Sequence, residues 1–195
     1  MEKQRITTRR IAVAALIGAV YAALTLALAP ISYGPVQFRV SEVLCIMPFF
    51  VPYSAWGLYA GCILANLFTG NIFDILFGSL ATLFAGLLTA RIGRREHTLV
   101  NSALACFMPV IFNAVIVGAV LTWAYGFQEI ADRPVLSFLV NAAWVGFGEL
   151  VVLYVLGLPL MRWLPRQKFF RDFLEKNEEI INEEIINEEE KKEEQ

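Results

Sequence analysis

The sequence predicts an all-α, polytopic membrane protein: a six-helix transmembrane bundle with cytoplasmic N- and C-termini. Three observations carry that expectation. Of 195 residues, 57% are hydrophobic and only 17% charged, against roughly 45–50% and 25% in soluble domains. Several apolar runs approach the ~20 residues that a helix needs to cross a bilayer. The basic residues collect in a few clusters between those runs, as the positive-inside rule requires of cytoplasmic loops. Residues 1–171 hold 13 Lys/Arg and 7 Asp/Glu, whereas residues 172–195 hold 3 and 11. The expected division is therefore a transmembrane domain, 1–171, and an acidic low-complexity cytoplasmic tail, 172–195. Acidity belongs to the tail alone, nucleic acid is excluded as a partner, and the length leaves no room for a separate catalytic domain.

Lys3, Arg5, Arg9 and Arg10 precede the first apolar run, residues 11–29, about 28 Å long as a helix beside a hydrocarbon core of ~30 Å. Ala27-Leu28-Ala29 has the small-x-small form of a signal cleavage site. Pro30 follows directly and blocks it, so a retained first helix is expected. Residues 99–125, bent by Pro109, and 137–158 are long enough to cross unaided. Arg91, Arg94 and Arg95 precede the former; Arg162, Arg166, Lys168 and Arg171 follow the latter; only Arg39 and Arg133 fall elsewhere. This places the N-terminus, the Arg91 loop and the C-terminus in the cytoplasm.

Between residues 40 and 90 the chain must then cross an odd number of times, one or three. Three crossings average about 17 residues, the short limit, and pattern alone does not choose between four helices and six. Six is favoured, with breaks near Tyr53 and at Thr69-Gly70-Asn71, because a single crossing leaves two dozen apolar residues in a re-entrant fold. In the tail, Glu179-Ile180-Ile181-Asn182-Glu183 recurs in type at 184–188. A five-residue period does not match 3.6, so a solvated or frayed segment without assigned function is expected.

A charge inside a span costs about 2.5–3.5 kcal/mol on insertion scales, so those that remain need partners or a polar cavity. Arg39 and Glu42 open the second helix, Asn66, Asn71 and Asp74 bracket the turn between the third and fourth, and Asn113 lies mid-way along the fifth. Asn141 and Trp144 lie early in the sixth, and Glu149 near its middle. All fall in the outer half or near the midplane, and the 30–38 loop is long enough to lie over them. Plainer roles exist for most. Arg39 and Glu42, three apart, can neutralise each other; Asn66 and Asn71 can cap helix ends; Asn113 can join helices; Asp74 can complement a helix dipole. Glu149 has no basic residue within ten positions, and a lone mid-span carboxylate points to function.

Cys45, Cys62 and Cys106 sit singly in apolar runs, where they read as small hydrophobes, and His97 is the only histidine; no disulfide or metal site is implied. No nucleotide-binding, hydrolase, metalloprotease or dinucleotide motif occurs, so neither an enzyme nor a cofactor is expected, and ATP hydrolysis must come from another chain. Ala15, Ala19 and Ala23, with Ala14, Gly18 and Ala22 beside them, form a smooth face that suits a partner helix or internal packing. Gly57 and Gly61 suit internal packing. A self-sufficient secondary transporter is the alternative class, but its inverted repeats and buried ion relay are not visible.

Val36-Gln37-Phe38-Arg39-Val40-Ser41-Glu42-Val43-Leu44 followed by Pro48-Phe49-Phe50, Trp56-Gly57-Leu58 with Gly61-Cys62-Ile63-Leu64-Ala65-Asn66-Leu67, and Asp74-Ile75-Leu76-Phe77-Gly78-Ser79-Leu80-Ala81-Thr82-Leu83 resemble the QueT family over roughly residues 6–165. The resemblance implies a substrate-binding S component of an energy-coupling-factor (ECF) transporter in the inner membrane, importing queuosine precursors. It implies an outer-face pocket and an alanine-rich first helix, Ala15, Ala19 and Ala23, docking on a transmembrane coupling subunit driven by two ATPase subunits. The ligand class would be a 7-deazaguanine such as preQ0, preQ1 or queuine, whose ring N–H and exocyclic amine one carboxylate can accept together. Glu42 or Glu149 would take that edge, Arg39 or an Asn (Asn66, Asn113 or Asn141) its carbonyl, and Phe38 or Trp144 would stack on the ring. Asp74 completes the candidate set. The two carboxylates are not ranked by sequence, and the tail lies outside the family pattern.

Overall fold

A computed structural model describes residues 7–33, 38–68, 70–124 and 133–193. Among them all regular structure is helical. α1 (Thr8–Ala27) starts at Thr7, whose hydroxyl accepts the Arg10 N–H at 3.3 Å, an N-cap. A single turn, α2 (Ala29–Ser32), follows, with Pro30 in its first turn where a missing N–H costs nothing. Then come a 3₁₀ helix (Val40–Phe49) and α3 (Ser54–Leu67). α4 (Asp74–Gly93), α5 (Leu99–Trp123) and α6 (Pro134–Arg166) are, with α1, long and apolar enough to cross a membrane. α7 (Lys168–Glu193) closes the chain.

The 3₁₀ helix has 10 residues and α3 has 14, so both are about 20 Å long at ~2.0 and ~1.5 Å per residue. They are matched legs of a hairpin, each shorter than a ~30 Å hydrocarbon core. The breaks fall where the sequence places them, at 50–53 and around Gly70. There Gly70 takes φ +66°, accessible without a Cβ, and Asn71 Oδ1 accepts the Phe73 N–H at 3.0 Å to open α4.

One end of the bundle gathers Arg9, Arg10, the 50–53 turn, His97 and α7. Arg10 lies over the Tyr53 ring at 5.9 Å, and the Phe49 and His97 ring centroids are 4.5 Å apart. At the other end the Tyr33 hydroxyl donates to Ala65 O at 2.8 Å and Phe73 meets Trp123 edge-on at 4.4 Å. The 3₁₀ helix and α3 therefore each run from end to end. An apolar core of Ile46, Phe49, Ile92, Cys106, Leu153 and Met161 fills the His97 end, leaving the polar side chains for the other half.

α1 and α3 touch through their backbones. A Cβ on Gly57 would lie 1.9 Å from Ala14 O, and one on Gly61 2.3 Å from Gly18 O. The glycine pair of α3 thus serves internal packing, as its spacing predicts. That contact uses the Ala14, Gly18, Ala22 side of α1. Ala15, Ala19 and Ala23 remain exposed, alongside Ile11, Leu16 and Val20. In α5, Pro109 cannot donate to Ala105 O, and the Thr89 hydroxyl from α4 donates to that carbonyl instead, at 3.2 Å.

The tail differs from the sequence expectation. α7 is one helix running across the 171/172 boundary, and Phe170, Asn177 and Ile181 on it are buried. Positions 170, 174, 177 and 181 follow the helical period, so the packing stripe starts ahead of the five-residue repeat and governs the first half of the helix. Asn177 Oδ1 accepts from Arg9 Nε at 3.2 Å, and its Nδ2 donates to the Tyr53 hydroxyl at 2.6 Å. A cavity of about 290 Å³ between α7, Arg10 and the 50–53 turn remains beside this contact.

Candidate functional site

Tyr21 and Thr25, one turn apart on α1, face the 3₁₀ helix. The Tyr21 hydroxyl donates to Glu42 Oε1, and Thr25 and Ser41 share a hydrogen bond at 2.6 Å. In 3₁₀ winding, residues three apart eclipse, which brings the Cys45 thiol under Glu42 to donate to Oε2 at 2.9 Å. Glu42 is 0% exposed and both of its oxygens have protein donors. Beside it, Cys62 Sγ accepts from Asn66 Nδ2 and Thr82 Oγ1, each at 3.4 Å. Cys45 and Cys62 therefore belong to a polar network rather than acting as plain hydrophobes. Cys106, packed by Met161 in the apolar core, fits that description.

Glu149 on α6 is 2% exposed. Its Oε1 accepts from Asn113 Nδ2 on α5 at 2.8 Å, while its buried Oε2 has no hydrogen-bond partner among the described residues. Asn113 begins a π-wound segment of α5 that runs to Val117, and Glu149 lies three residues ahead of the π-wound segment of α6, Val152–Gly157. Such segments often mark functional positions.

Arg39 is 4% exposed, immediately before the 3₁₀ helix. Its Nε donates to Ser32 O at 3.4 Å, and its guanidinium lies 5.5 Å from the Tyr33 ring centroid. Its charge acts on Glu42, Glu149 and Asp74. Tyr21 and Cys45, not Arg39, supply the hydrogen bonds that hold the Glu42 carboxylate. Asp74 is half-buried at the head of α4, hydrogen-bonded by Asn71, and its carbonyl accepts from Asn66 Nδ2 at 2.9 Å. Asn66 and Asn71 thus do satisfy helix-end backbone groups.

The other candidates lie apart. Asn141 donates to Thr122 Oγ1 at 3.0 Å, about 12 Å along α6 from Glu149 at 1.5 Å per residue. Trp144 is 45% exposed, and the Phe38 ring meets Phe147 edge-on at 6.4 Å. The fold therefore draws together Arg39, Glu42, Asn66, Asn113 and Glu149, with Asp74 at the margin. Sequence reasoning missed Tyr21, Thr25 and Ser41. Tyr21 and Thr25 carry the only side-chain hydroxyls between residues 11 and 27, and their i, i+4 spacing puts them on one face. Among the described residues no His/Cys/Asp/Glu group is placed to hold a metal ion.

Residues 11–166 match the QueT transporter family, a stretch that includes most of α1 and everything from there to the end of α6. The chain belongs to the QueT transporter family. Queuosine precursor transporter QueT of Lactococcus lactis subsp. cremoris (strain MG1363) is 32% identical to it over 147 residues, or 72% of this chain and 83% of that protein. No solved structure matches. As a QueT transporter with several apolar helices, the chain is a multi-pass membrane protein, and its family is one of transporters. The QueT region holds every residue of the buried polar group and stops two residues short of α7.

Proposed function

We propose that this chain is the membrane-embedded substrate-binding subunit of an ATP-driven ECF importer in the cytoplasmic membrane. It binds a queuosine precursor of the 7-deazaguanine class, such as preQ0, preQ1 or queuine, from the outer face. Family membership carries this reading, together with the relative named as a queuosine precursor transporter. The buried group around Arg39, Glu42 and Glu149 supports it, because a flat polar heterocycle in an apolar bundle needs a few convergent polar side chains.

Six crossings with cytoplasmic termini follow on this reading. The 50–53 turn shares an end with Arg9, Arg10 and His97, which supports three passes between residues 40 and 90. The partners are a transmembrane coupling subunit and two ATPase subunits. The exposed Ala15, Ala19, Ala23 row supports α1 as the docking helix, since small side chains allow close helix approach. Uptake of labelled preQ1 in cells that express the chain with and without a coupling module tests the assignment. Uptake that requires both the module and ATP is expected; ion-gradient-driven uptake by the chain alone overturns it. Ala19→Leu is expected to abolish co-purification with the coupling subunit while the affinity for preQ1 stays at the wild-type value.

A further inference from the structure

We infer that Glu149, and not Glu42, is the carboxylate that receives the ligand, and that it reads a pair of N–H donors on one edge of the base. The inference rests on the reading just given and ranks two groups that the sequence leaves equal. Both carboxylates are buried, but they are held differently. Glu42 has a protein donor on each oxygen, Tyr21 from α1 and Cys45 from its own helix. Those donors fix it as part of the scaffold that ties α1 to the 3₁₀ helix.

Glu149 has a single protein donor among the described residues. Asn113 binds Oε1 and so sets the orientation of the carboxylate, while Oε2 is buried without one among the described residues. A buried acceptor in that state is costly, and native structures seldom keep one without a water or ligand to serve it. Arg39 acts on Glu149 as a charge, but among the described residues its hydrogen bond goes to Ser32 O. The cation therefore lies near the carboxylate without occupying its acceptor sites. What suits Oε2, with the second lone pair of Oε1 beside it, is a donor pair in the carboxylate plane: a ring N–H next to an exocyclic amine. The donors left on the Arg39 guanidinium suit a carbonyl oxygen on the same base.

The test uses full-length protein in mild detergent and two probes, preQ1 and its analogue lacking the exocyclic 2-amino group. Wild type is expected to prefer preQ1 by roughly 10- to 100-fold, the loss associated with an unmet buried hydrogen bond. In Glu149→Gln, which puts a donor where an acceptor stood, that preference should fall to within a few-fold as preQ1 affinity drops. Glu149→Asp, which keeps the charge but withdraws it by one methylene, carries the same measurement if the glutamine variant does not fold. A wild-type preference retained in the Glu149 variants, or lost equally in Glu42→Gln, overturns the assignment and leaves the proposed function standing. Equal wild-type affinity for the two bases overturns the recognition of a donor pair. Wild-type protein that binds neither overturns the queuosine-precursor reading and this inference with it.

Discussion

Tyr21 shows how a single hydroxyl can hold a charge inside a bundle. It reaches from α1 to Glu42 on the next long segment of the chain, and removing it leaves a fully buried carboxylate oxygen without that donor. Tyr21→Phe is expected to destabilise the fold by about 1–3 kcal/mol, the desolvation penalty of an unmet acceptor, read as a lower melting temperature in detergent. Thr89→Val takes away the donor that replaces the N–H missing at Pro109. It should cost a similar amount, again about 1–3 kcal/mol, unless the proline is also replaced by alanine, which restores an N–H and should recover most of the loss. At this scale the sequence was legible where a residue stands out alone. Glu149 is conspicuous without a nearby base, whereas Tyr21 and Cys62 read as ordinary members of apolar runs until their neighbours from other helices are known.

Helices here meet by two different means, and each gives its own expectation. α1 and α3 are in backbone contact, so a methyl group on Gly57 has nowhere to go with Ala14 O 1.9 Å away. Gly57→Ala should force the two helices apart and sharply lower the yield of folded protein by size-exclusion chromatography, while Ala19→Leu on the exposed face should not. α7 is attached instead by polar contacts and one apolar stripe. Its buried Asn177 bridges Arg9 and the Tyr53 hydroxyl, and Phe170 meets Phe50 edge-on at 5.3 Å. Asn177→Ala is expected to speed amide hydrogen exchange across residues 168–181 and leave exchange in α3 to α5 unchanged. The α3 glycines were legible as a packing motif, because close approach needs small residues four apart. The docking of α7 was not, because the five-residue period of the repeat at 179–188 obscures the helical stripe that starts at Phe170.

At the level of the whole molecule, the proposed orientation rests on the placement of basic residues and the proposed six passes on the hairpin between residues 40 and 67. Cys45, Cys62 and Cys106 are buried, so single cysteines added at the ends can report sidedness over a low background. Arg133→Cys is expected to react with an impermeant maleimide in intact cells, and Pro52→Cys and Glu96→Cys only after permeabilisation. Labelling of Pro52→Cys from outside would return the chain to four crossings. Parity alone left that choice open, since one pass or three brings the chain back to Arg91.

By itself the sequence determined the helical membrane character, the family, the positions of the breaks and the small set of polar side chains that lipid would not tolerate alone. Those are local properties, because hydropathy, proline, glycine and period act along the chain. Only the tertiary structure showed that Glu42 has a protein donor on each oxygen while, among the described residues, Glu149 has one on Oε1 alone. The deciding hydrogen bonds join residues 21 and 36 positions apart. A helical period tells which face a side chain occupies and not which helix packs against that face.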